Sequence, residues 1–247
     1  VLYHYFPWGG LQRDFARIAR EAVSRGHDVE ALVSDWQGDS IEGVGLHVLP
    51  VSGRSNHGRM ASFAAAVQRA VEAGGYDRVL GFNRLPGLDV YFAADSCFAA
   101  HVADKFPLVR WLPRYAAYLK LEEQVTEATG PHLLFLNDDQ RDQYLNYYPL
   151  PASRYQVLPP GIEPDRRRPE NHEELRNRIR RELAVAENES LILFLGSGFK
   201  VKGLDRVLVA FTKLPDTTKL MLVGHDDAEP CMRGLDDDTR NLSLKHN

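Results

Sequence analysis

The chain has 247 residues, 44% of them apolar and 26% charged, which is enough for one large domain or two smaller ones with their own cores. A net charge of −4 argues against a surface built as a whole for nucleic acid. The two cysteines lie far apart and no apolar run reaches the roughly 20 residues that span a bilayer, so we expect a cytosolic protein, soluble or peripheral to a membrane, without a disulfide framework.

The first predicted elements are a strand and a helix joined by two glycines. Residues 1–6 (VLYHYF) predict a buried strand, and residues 11–23 place apolar side chains on one face of a helix. Gly9 and Gly10 therefore lie at the start of that helix, where unpaired amides and the helix dipole favour an anion or a sugar hydroxyl. A tight turn would also explain the two glycines. The spacing is not the GxGxxG of nicotinamide and flavin sites.

The remainder of the first half alternates between strand-like and helix-like segments, which is typical of a parallel sheet covered by helices. Strands are predicted at residues 27–34, 44–51, 77–83, 91–95 and 132–137, and helices at 58–74, at 96–129 with breaks at the prolines, and at 138–148. Six prolines then fall between residues 149 and 171 and leave no room for a long element. We therefore expect two domains, residues 1–160 and 161–247.

The second domain begins with the same alternation as the first. A helix is predicted at residues 171–185, a strand at 191–197, a helix at 204–214 and a strand at 219–224. The polar tail after residue 224 predicts at most one more short helix. Because a doubly wound domain has more strands than these two, we expect the second domain to be incomplete in this chain.

The loop between the second domain's first strand and the following helix, GSGFKVKGLDR, has a composition that suits a diphosphate. It combines Gly196, Gly198 and Gly203 with Lys200 and Lys202. Glycine amides, two ammonium groups and a helix N-terminus can together bind phosphate oxygens. The loop does not match the phosphate-binding pattern GxxxxGK[ST], which argues against a nucleotide hydrolase. Without other context, a solvated loop is the alternative.

Two further residues are candidates by position. Asp95 follows a predicted apolar strand, where doubly wound sheets place ligand-contacting groups, and a helix N-cap is the alternative. Arg166 follows the proline-rich turn and offers an anion contact, with a solvated linker as the alternative. His57 and His101 have no carboxylate at ligand spacing, so no metal is assigned.

Residues 104–124 mix aromatic and basic side chains. Lys105, Arg110, Trp111 and Arg114 stand among apolar residues at helical spacing, a pattern that suits an anionic membrane surface. A core helix with a wetted basic face has the same pattern. Periodicity therefore leaves both a membrane-facing segment and a membrane-associating interaction module open.

Five segments occur together and in order: FPWGGLQRDF, NHGR, GFNRLPGLDVYFAAD, LPPGIEPDR and GSGFKVKGLDR. Together they resemble the lipopolysaccharide core glucosyltransferases of Gram-negative bacteria, members of retaining glycosyltransferase family 4. The likeness runs from residue 1 to about residue 224. It implies an α/β fold of the GT-B type, with two Rossmann-like doubly wound domains facing across a cleft. The first domain would hold the acceptor and the second would hold the nucleotide-sugar.

The resemblance also implies roles for individual residues. Asp95 would face the transferred sugar, and Lys202 would hold the leaving diphosphate, so these two are the catalytic candidates. The residues implied in donor binding are Gly9, Gly10, Asp14, Arg166, Gly198, Lys200 and Lys202. The two glycines of the first turn would lie against the donor's phosphates and sugar.

The implied activity is transfer of glucose or a related hexose from a UDP-sugar to an inner-core heptose of lipopolysaccharide. It would retain the anomeric configuration and use no metal and no cofactor. Two departures from the family pattern stand out: Val201 replaces the arginine that usually precedes Lys202, and the family's paired glutamates lie beyond residue 247. The alternatives are a family-4 enzyme with another donor, such as a UDP-hexosamine or GDP-mannose, and a non-catalytic sugar-nucleotide or glycan-binding remnant.

Overall fold

The computed structural model describes residues 1–162, 166–196, 198–224, 226–232 and 242–245. It divides the chain into two compact units, Val1–Gly161 and Ile162–Asn247. Both units alternate strands and helices, and every strand pair in the described residues is parallel.

The first unit is built on parallel strands. They are β1 (Leu2–Tyr5), β2 (Val29–Trp36), β3 (Val44–Val48), β4 (Leu80–Gly81), β5 (Val90–Ala93), β6 (His132–Phe135) and β7 (Tyr155–Val157). Strands β3, β2 and β1 form one ladder and β4 to β7 another. Val1 joins the two, because its amino group donates to the Leu80 carbonyl at 2.7 Å and its carbonyl accepts from the Phe82 amide at 2.9 Å. The resulting order, 3-2-1-4-5-6-7, reverses direction between β1 and β4, as in a doubly wound fold.

Helices cover this sheet. They are α1 (Gly10–Ser24), α2 (Asn56–Gly74), α3 (Phe98–Ala103), α4 (Pro113–Thr126) and α5 (Asp138–Leu145), with short 3-10 helices at Pro107–Trp111 and Ala152–Arg154. The predicted breaks at Pro107 and Pro113 separate α3, the first 3-10 helix and α4. Asn137 caps α5 as expected, since its side chain accepts a hydrogen bond from the Gln140 amide at 2.8 Å.

The core of the first unit lies on both faces of the sheet. Successive residues of a strand point to opposite faces. In β6, Leu133 packs in one cluster with Phe63 of α2, while Leu134 packs in the other cluster with Phe15 of α1. Full burial of each such large apolar side chain stabilises the fold by about 1.5–3 kcal/mol. The two packed faces hold the strand ends, and the loops that leave them, in a fixed arrangement.

The second unit repeats the pattern on a smaller scale. Its elements are α6 (His172–Glu182), β8 (Ser190–Leu195), α7 (Leu204–Phe211), β9 (Thr218–Val223), α8 (Glu229–Met232) and β10 (Leu242–Lys245). The strand order is β10-β9-β8. The short helix predicted after residue 224 is α8, but the prediction that nothing more follows was wrong, because β10 adds a third parallel strand in register with β9. Four residues with only two apolar side chains carry too weak a pattern to predict a strand; the partner strand β9 supplies the ladder.

Candidate active site

The candidate residues of the first unit share one edge of its sheet. Gly9 and Gly10 follow β1, and Asp95 follows β5, so they leave the carboxyl ends of parallel strands. Asn83 and Arg84 follow β4, the strand next to β1, and the Asn83 side chain accepts a hydrogen bond from the Tyr3 amide at 2.7 Å. In open α/β sheets ligands bind at this edge, next to the point where the strand order reverses.

Helix α1 begins without a side-chain cap. Gly9 is its N-cap residue in extended conformation, no side chain caps the helix, and its first turn has no acidic residue. The amide of Arg13 already bonds to the Gly9 carbonyl at 3.1 Å. The amides before it, at the positive end of a 15-residue helix, are therefore available to an anion or a sugar hydroxyl.

The two glycines of this turn differ in their surroundings. A Cβ at Gly9 would overlap the side-chain amide of Gln12 and lie 2.6 Å from the Phe6 ring. Gln12 is itself buried and donates to the His4 carbonyl at 3.0 Å, which fixes the end of β1 to the helix. A Cβ at Gly10 would meet no atom within 4 Å. A side chain at Gly9 would thus displace Gln12 and Phe6, whereas the space beside Gly10 is open.

Asp14 lies one turn further along α1. Its carboxylate pairs with Arg17 on the same helix at 3.1 Å, and Arg17 also donates to the Gly161 carbonyl at 3.4 Å. This pair ties α1 to the last residue of the first unit. In the described residues Asp14 therefore has an internal partner as well as a place near the glycine turn.

Asp95 is exposed at the end of β5. The N-cap position of α3 is Cys97, whose side chain makes no capping hydrogen bond, so the alternative of Asp95 as that helix's N-cap was wrong. A side chain from another element holds the backbone around Asp95. Gln140 of α5 donates hydrogen bonds to the carbonyls of Ala93 and Asp95, at 2.5 and 2.8 Å. The Asp95 side chain makes no hydrogen bond or ion pair with any described residue, in contrast to its backbone.

A buried ion pair lies directly behind this segment. Arg84 Nε is 3.1 Å from Glu122 Oε2, and the two side chains are only 10% and 0% exposed. Burial lowers the pKa of Arg84, but the surrounding Tyr91, Tyr144 and Glu122 outweigh it and raise that pKa overall, so the guanidinium stays charged. Burial also raises the pKa of Tyr91, whose hydroxyl is buried without a hydrogen-bond partner among the described residues.

Sequence reasoning missed this pair. Glu122 lies in a stretch of charged and aromatic residues whose pattern predicts a solvent-exposed helix face, and Arg84 lies in a turn. The available signal was spacing: Glu122 shares a helical face with Val125 and Thr126, both of which are buried. That signal is weak, because three residues do not decide which face of a helix is buried.

The second glycine loop has the backbone that its composition predicts. Gly196, Gly198 and Gly203 have φ values of 138°, 77° and 80°, which other residues adopt only with strain. A Cβ at Gly196 would lie 4.0 Å from Lys202 Cε, so the Lys202 side chain runs back over the end of β8. Lys200 and Lys202 are exposed, and neither pairs with a carboxylate of the described residues.

The turn also rests on its neighbours within the second unit. Asp226 accepts a hydrogen bond from the Phe199 amide at 2.7 Å, and Phe199 is buried. The amides of Lys200 and Val201 have no acceptor among the described residues, so they remain available to a ligand. Arg166 is exposed at the start of the second unit, and no described residue pairs with it.

The segment at 104–124 exposes apolar side chains. Phe106, Leu108 and Trp111 are 70%, 65% and 76% exposed around the 3-10 helix Pro107–Trp111. Around this 3-10 helix the exposure differs from that of a core helix, whereas Leu121 in the following helix α4 packs against the core, as the alternative expects. Arg110 and Arg114 are exposed beside them, Lys105 is half-buried, and Arg110 lies 5.9 Å from the centre of the Trp111 ring.

The described residues hold neither a cluster of metal ligands nor a membrane-spanning helix. Within those ranges, no three side chains of His, Cys, Asp or Glu come together in a way that would hold a metal ion. Across the same ranges, no helix has the length and apolar character needed to cross a membrane.

Glycosyltransferases from two bacteria match most of the chain. Lipopolysaccharide glucosyltransferase WaaG from Escherichia coli K12 is 42% identical over 231 residues, covering 91% of this chain and 62% of that protein. A D-inositol 3-phosphate glycosyltransferase from Geodermatophilus obscurus is 30% identical over 185 residues, covering 70% of this chain and 38% of that protein. The chain thus spans less than two thirds of the length of either relative.

Solved structures support the same grouping. The crystal structure of WaaG, a glycosyltransferase involved in lipopolysaccharide biosynthesis, covers the whole chain with a TM-score of 0.89 and 37% identity, and the chain covers 70% of it. The expected α/β GT-B class is confirmed by this match. Anabaena HepE in complex with UDP-glucose shares the fold, with a TM-score of 0.65 at 16% identity over 99% of this chain and 68% of that one. The family model for Glycosyltransferase Family 4 matches residues 8–166. The chain belongs to glycosyltransferase family 4.

Proposed function

We propose that this protein is a retaining hexosyltransferase that moves glucose, or a related hexose, from a UDP-sugar to an inner-core heptose of lipopolysaccharide. The relative with 42% identity is named a lipopolysaccharide glucosyltransferase, which supports the donor sugar and the acceptor class. The observation that carries the proposal is the loop after β8. There, two lysines without carboxylate partners among the described residues stand beside free backbone amides.

The chemistry requires stabilisation of a leaving nucleoside diphosphate. Cleavage of the bond between the sugar and the phosphate builds negative charge on the leaving oxygen. In the proposed mechanism Lys202 balances that charge, with support from Lys200 and the loop amides around Gly198, and no metal is needed. The free amides of α1, at Gly10, contact the donor's phosphates or sugar.

The remaining candidates complete the proposed mechanism. Asp95 faces the transferred sugar, and its carboxylate stabilises the positive charge that develops there as the bond breaks. The acceptor hydroxyl attacks from the face that the diphosphate leaves and gives its proton to the leaving phosphate oxygen, which retains the anomeric configuration without a covalent intermediate. Asp14 and Arg166 lie on the donor side.

The proposal is tested with the full-length protein and a lipopolysaccharide acceptor that ends at the inner-core heptose. UDP-glucose, UDP-N-acetylgalactosamine and GDP-mannose are supplied in parallel, with and without EDTA. We expect transfer from UDP-glucose alone, unaffected by EDTA, and an α-linked product by NMR. Transfer only from another donor would replace the substrate assignment, and donor binding without any transfer would indicate a sugar-nucleotide-binding protein.

Gly10→Ala is expected to weaken UDP-glucose binding without destabilising the fold. A methyl group at Gly10 enters the open space where the donor is proposed to lie, and alanine is favoured over glycine in a helix by up to about 1 kcal/mol. Isothermal calorimetry and thermal unfolding of the same samples measure the two effects.

Gly9→Ala is the matched control for this prediction. It should lower the melting temperature, because its Cβ displaces Gln12 from the His4 carbonyl. Equal donor affinity in Gly10→Ala and the wild type would show that the donor does not approach this turn.

We also propose that residues 104–124 bind the anionic surface of the membrane that carries the acceptor. The exposed side chains of Phe106, Leu108 and Trp111 form an apolar patch, with Arg110 and Arg114 beside it. Apolar side chains insert at the boundary between headgroups and acyl chains, and basic side chains attract anionic lipids. In this proposal the protein works at the cytoplasmic face of the membrane.

Trp111→Ala is expected to reduce binding to vesicles that contain anionic phospholipid. The double variant Arg110→Gln/Arg114→Gln should reduce vesicle binding further and make the binding less dependent on salt. Each basic side chain near an anionic surface contributes about 1 kcal/mol to the binding free energy. Vesicle sedimentation measures the bound fraction. Tyr147→Ala, which removes an aromatic side chain exposed elsewhere in the first unit, is the control. If Trp111→Ala behaves like Tyr147→Ala, the patch does not bind membranes.

A further inference from the structure

The backbone from Ala93 to Ala99, which carries Asp95, makes six hydrogen bonds with side chains from outside this segment. Glu122 accepts hydrogen bonds from the amides of Phe98 and Ala99, the first two of α3, at 2.6 and 2.8 Å. Helix α3 has no capping side chain of its own, so the fully buried Glu122 carboxylate from α4 takes that place.

Arg84 connects this carboxylate to the other end of the segment. Its Nη2 donates to the Ser96 carbonyl, next to Asp95, and its Nε faces both Glu122 at 3.1 Å and the Tyr144 hydroxyl at 3.3 Å. The planar guanidinium holds these partners at fixed angles, which a lysine cannot do.

Side chains of α5 and the loop beyond it complete the cluster. Gln143 accepts from the Cys97 amide at 3.1 Å, and the Tyr148 hydroxyl donates to Glu122 at 3.0 Å. The backbone is therefore anchored at Ala93, Asp95, Ser96, Cys97, Phe98 and Ala99. Burying a pair of charges carries a large desolvation penalty, and apolar side chains of similar volume often stabilise a fold equally well.

We propose that Arg84 and Glu122 are positioning residues that fix the Asp95 carboxylate for sugar transfer. They hold the backbone on both sides of Asp95, while its side chain stays exposed without a hydrogen bond or ion pair to any described residue. Preorganised groups of this kind accelerate a reaction because the protein does not reorganise as charge develops. This inference rests on the proposed function, since it concerns the same reaction centre.

The test is a double-mutant cycle in the full-length protein, with Arg84→Lys and Asp95→Asn measured singly and together. Arg84→Lys keeps the charge but loses the fork that joins Ser96 to Glu122. We expect it to lower kcat about 10- to 100-fold, as a small misplacement of a reacting group does. The KM for UDP-glucose should change little. In the Asp95→Asn background the same change should have almost no further effect, because the group it positions is already gone.

Arg154→Lys is the matched control. Arg154 donates to the backbone carbonyls of Pro131, Glu127 and Ala128, before the start of β6 and away from Asp95. It should lower the melting temperature and leave kcat unchanged. Tyr148→Phe removes one hydrogen bond to Glu122 and is the milder variant if Arg84→Lys folds poorly; its smaller loss of kcat should also vanish in Asp95→Asn.

The outcomes separate the inference from the function on which it rests. Losses of kcat that multiply in the double variant, or a wild-type kcat in Arg84→Lys, would overturn the positioning role in an active enzyme. No hexose transfer by the wild-type protein would overturn the proposed function, and the positioning role with it.

Discussion

Lys202→Ala is expected to lower kcat for glucose transfer by the full-length protein about 100- to 1000-fold, the usual loss when a preorganised group is removed from a developing negative charge. Lys202 follows two left-handed glycines and precedes a third, so its backbone position is set by the turn. Its side chain runs back over Gly196, at the end of β8, rather than away from the loop. Initial rates at saturating UDP-glucose measure the effect directly.

The loop offers its own control for this prediction. Lys200→Ala removes a cation two residues earlier and should lower kcat less than Lys202→Ala does, because Lys202 is the residue proposed to contact the leaving diphosphate. Lys213→Ala, at an exposed position beyond α7, should change nothing. Turnover by Lys202→Ala at the wild-type rate would remove the leaving-group role, and a larger loss in Lys200→Ala would transfer that role to Lys200.

The alternation of strands and helices was predictable because each element carries its own pattern. Apolar runs such as residues 91–93 and 133–135 lie in strands that pack on both faces, and such a run indicates a strand without knowledge of its neighbours. Strand β10 was not predictable, since its four residues have few apolar side chains and depend on β9 for their ladder. The order of the strands was equally hidden, because it depends on hydrogen bonds between Val1 and the β4 region.

In the candidate site, too, features set by the local sequence were predictable and features set by tertiary packing were not. Both glycine turns were predictable from sequence, because glycine at a junction between a strand and a helix indicates a backbone conformation or a close approach that a side chain would hinder. The reason for Gly9 was not visible, since its neighbour Gln12 is brought against it only by the first turn of α1. Arg84 and Glu122 were invisible as a pair, because 38 positions of sequence separate two groups that meet only once the sheet and α4 are packed.

Glu122→Ala is expected to destabilise the first unit by about 3–5 kcal/mol, the usual cost of removing one partner from a buried ion pair. The loss leaves the Arg84 guanidinium buried and still charged, because an arginine side chain in a protein keeps its proton near neutral pH. It also leaves the amides of Phe98 and Ala99 without an acceptor. Urea unfolding followed by circular dichroism measures the change in free energy.

Glu123→Ala is the natural comparison, because Glu123 is the next residue on α4 and is exposed. Substitutions at such surface positions usually change stability by no more than about 0.5 kcal/mol. The contrast tests burial rather than charge, since both variants remove one carboxylate from the same turn of the same helix. Equal midpoints for the two variants would mean that Arg84 finds water or another partner when Glu122 is lost. A large difference would establish that the segment carrying Asp95 is held by a charge that the fold cannot replace.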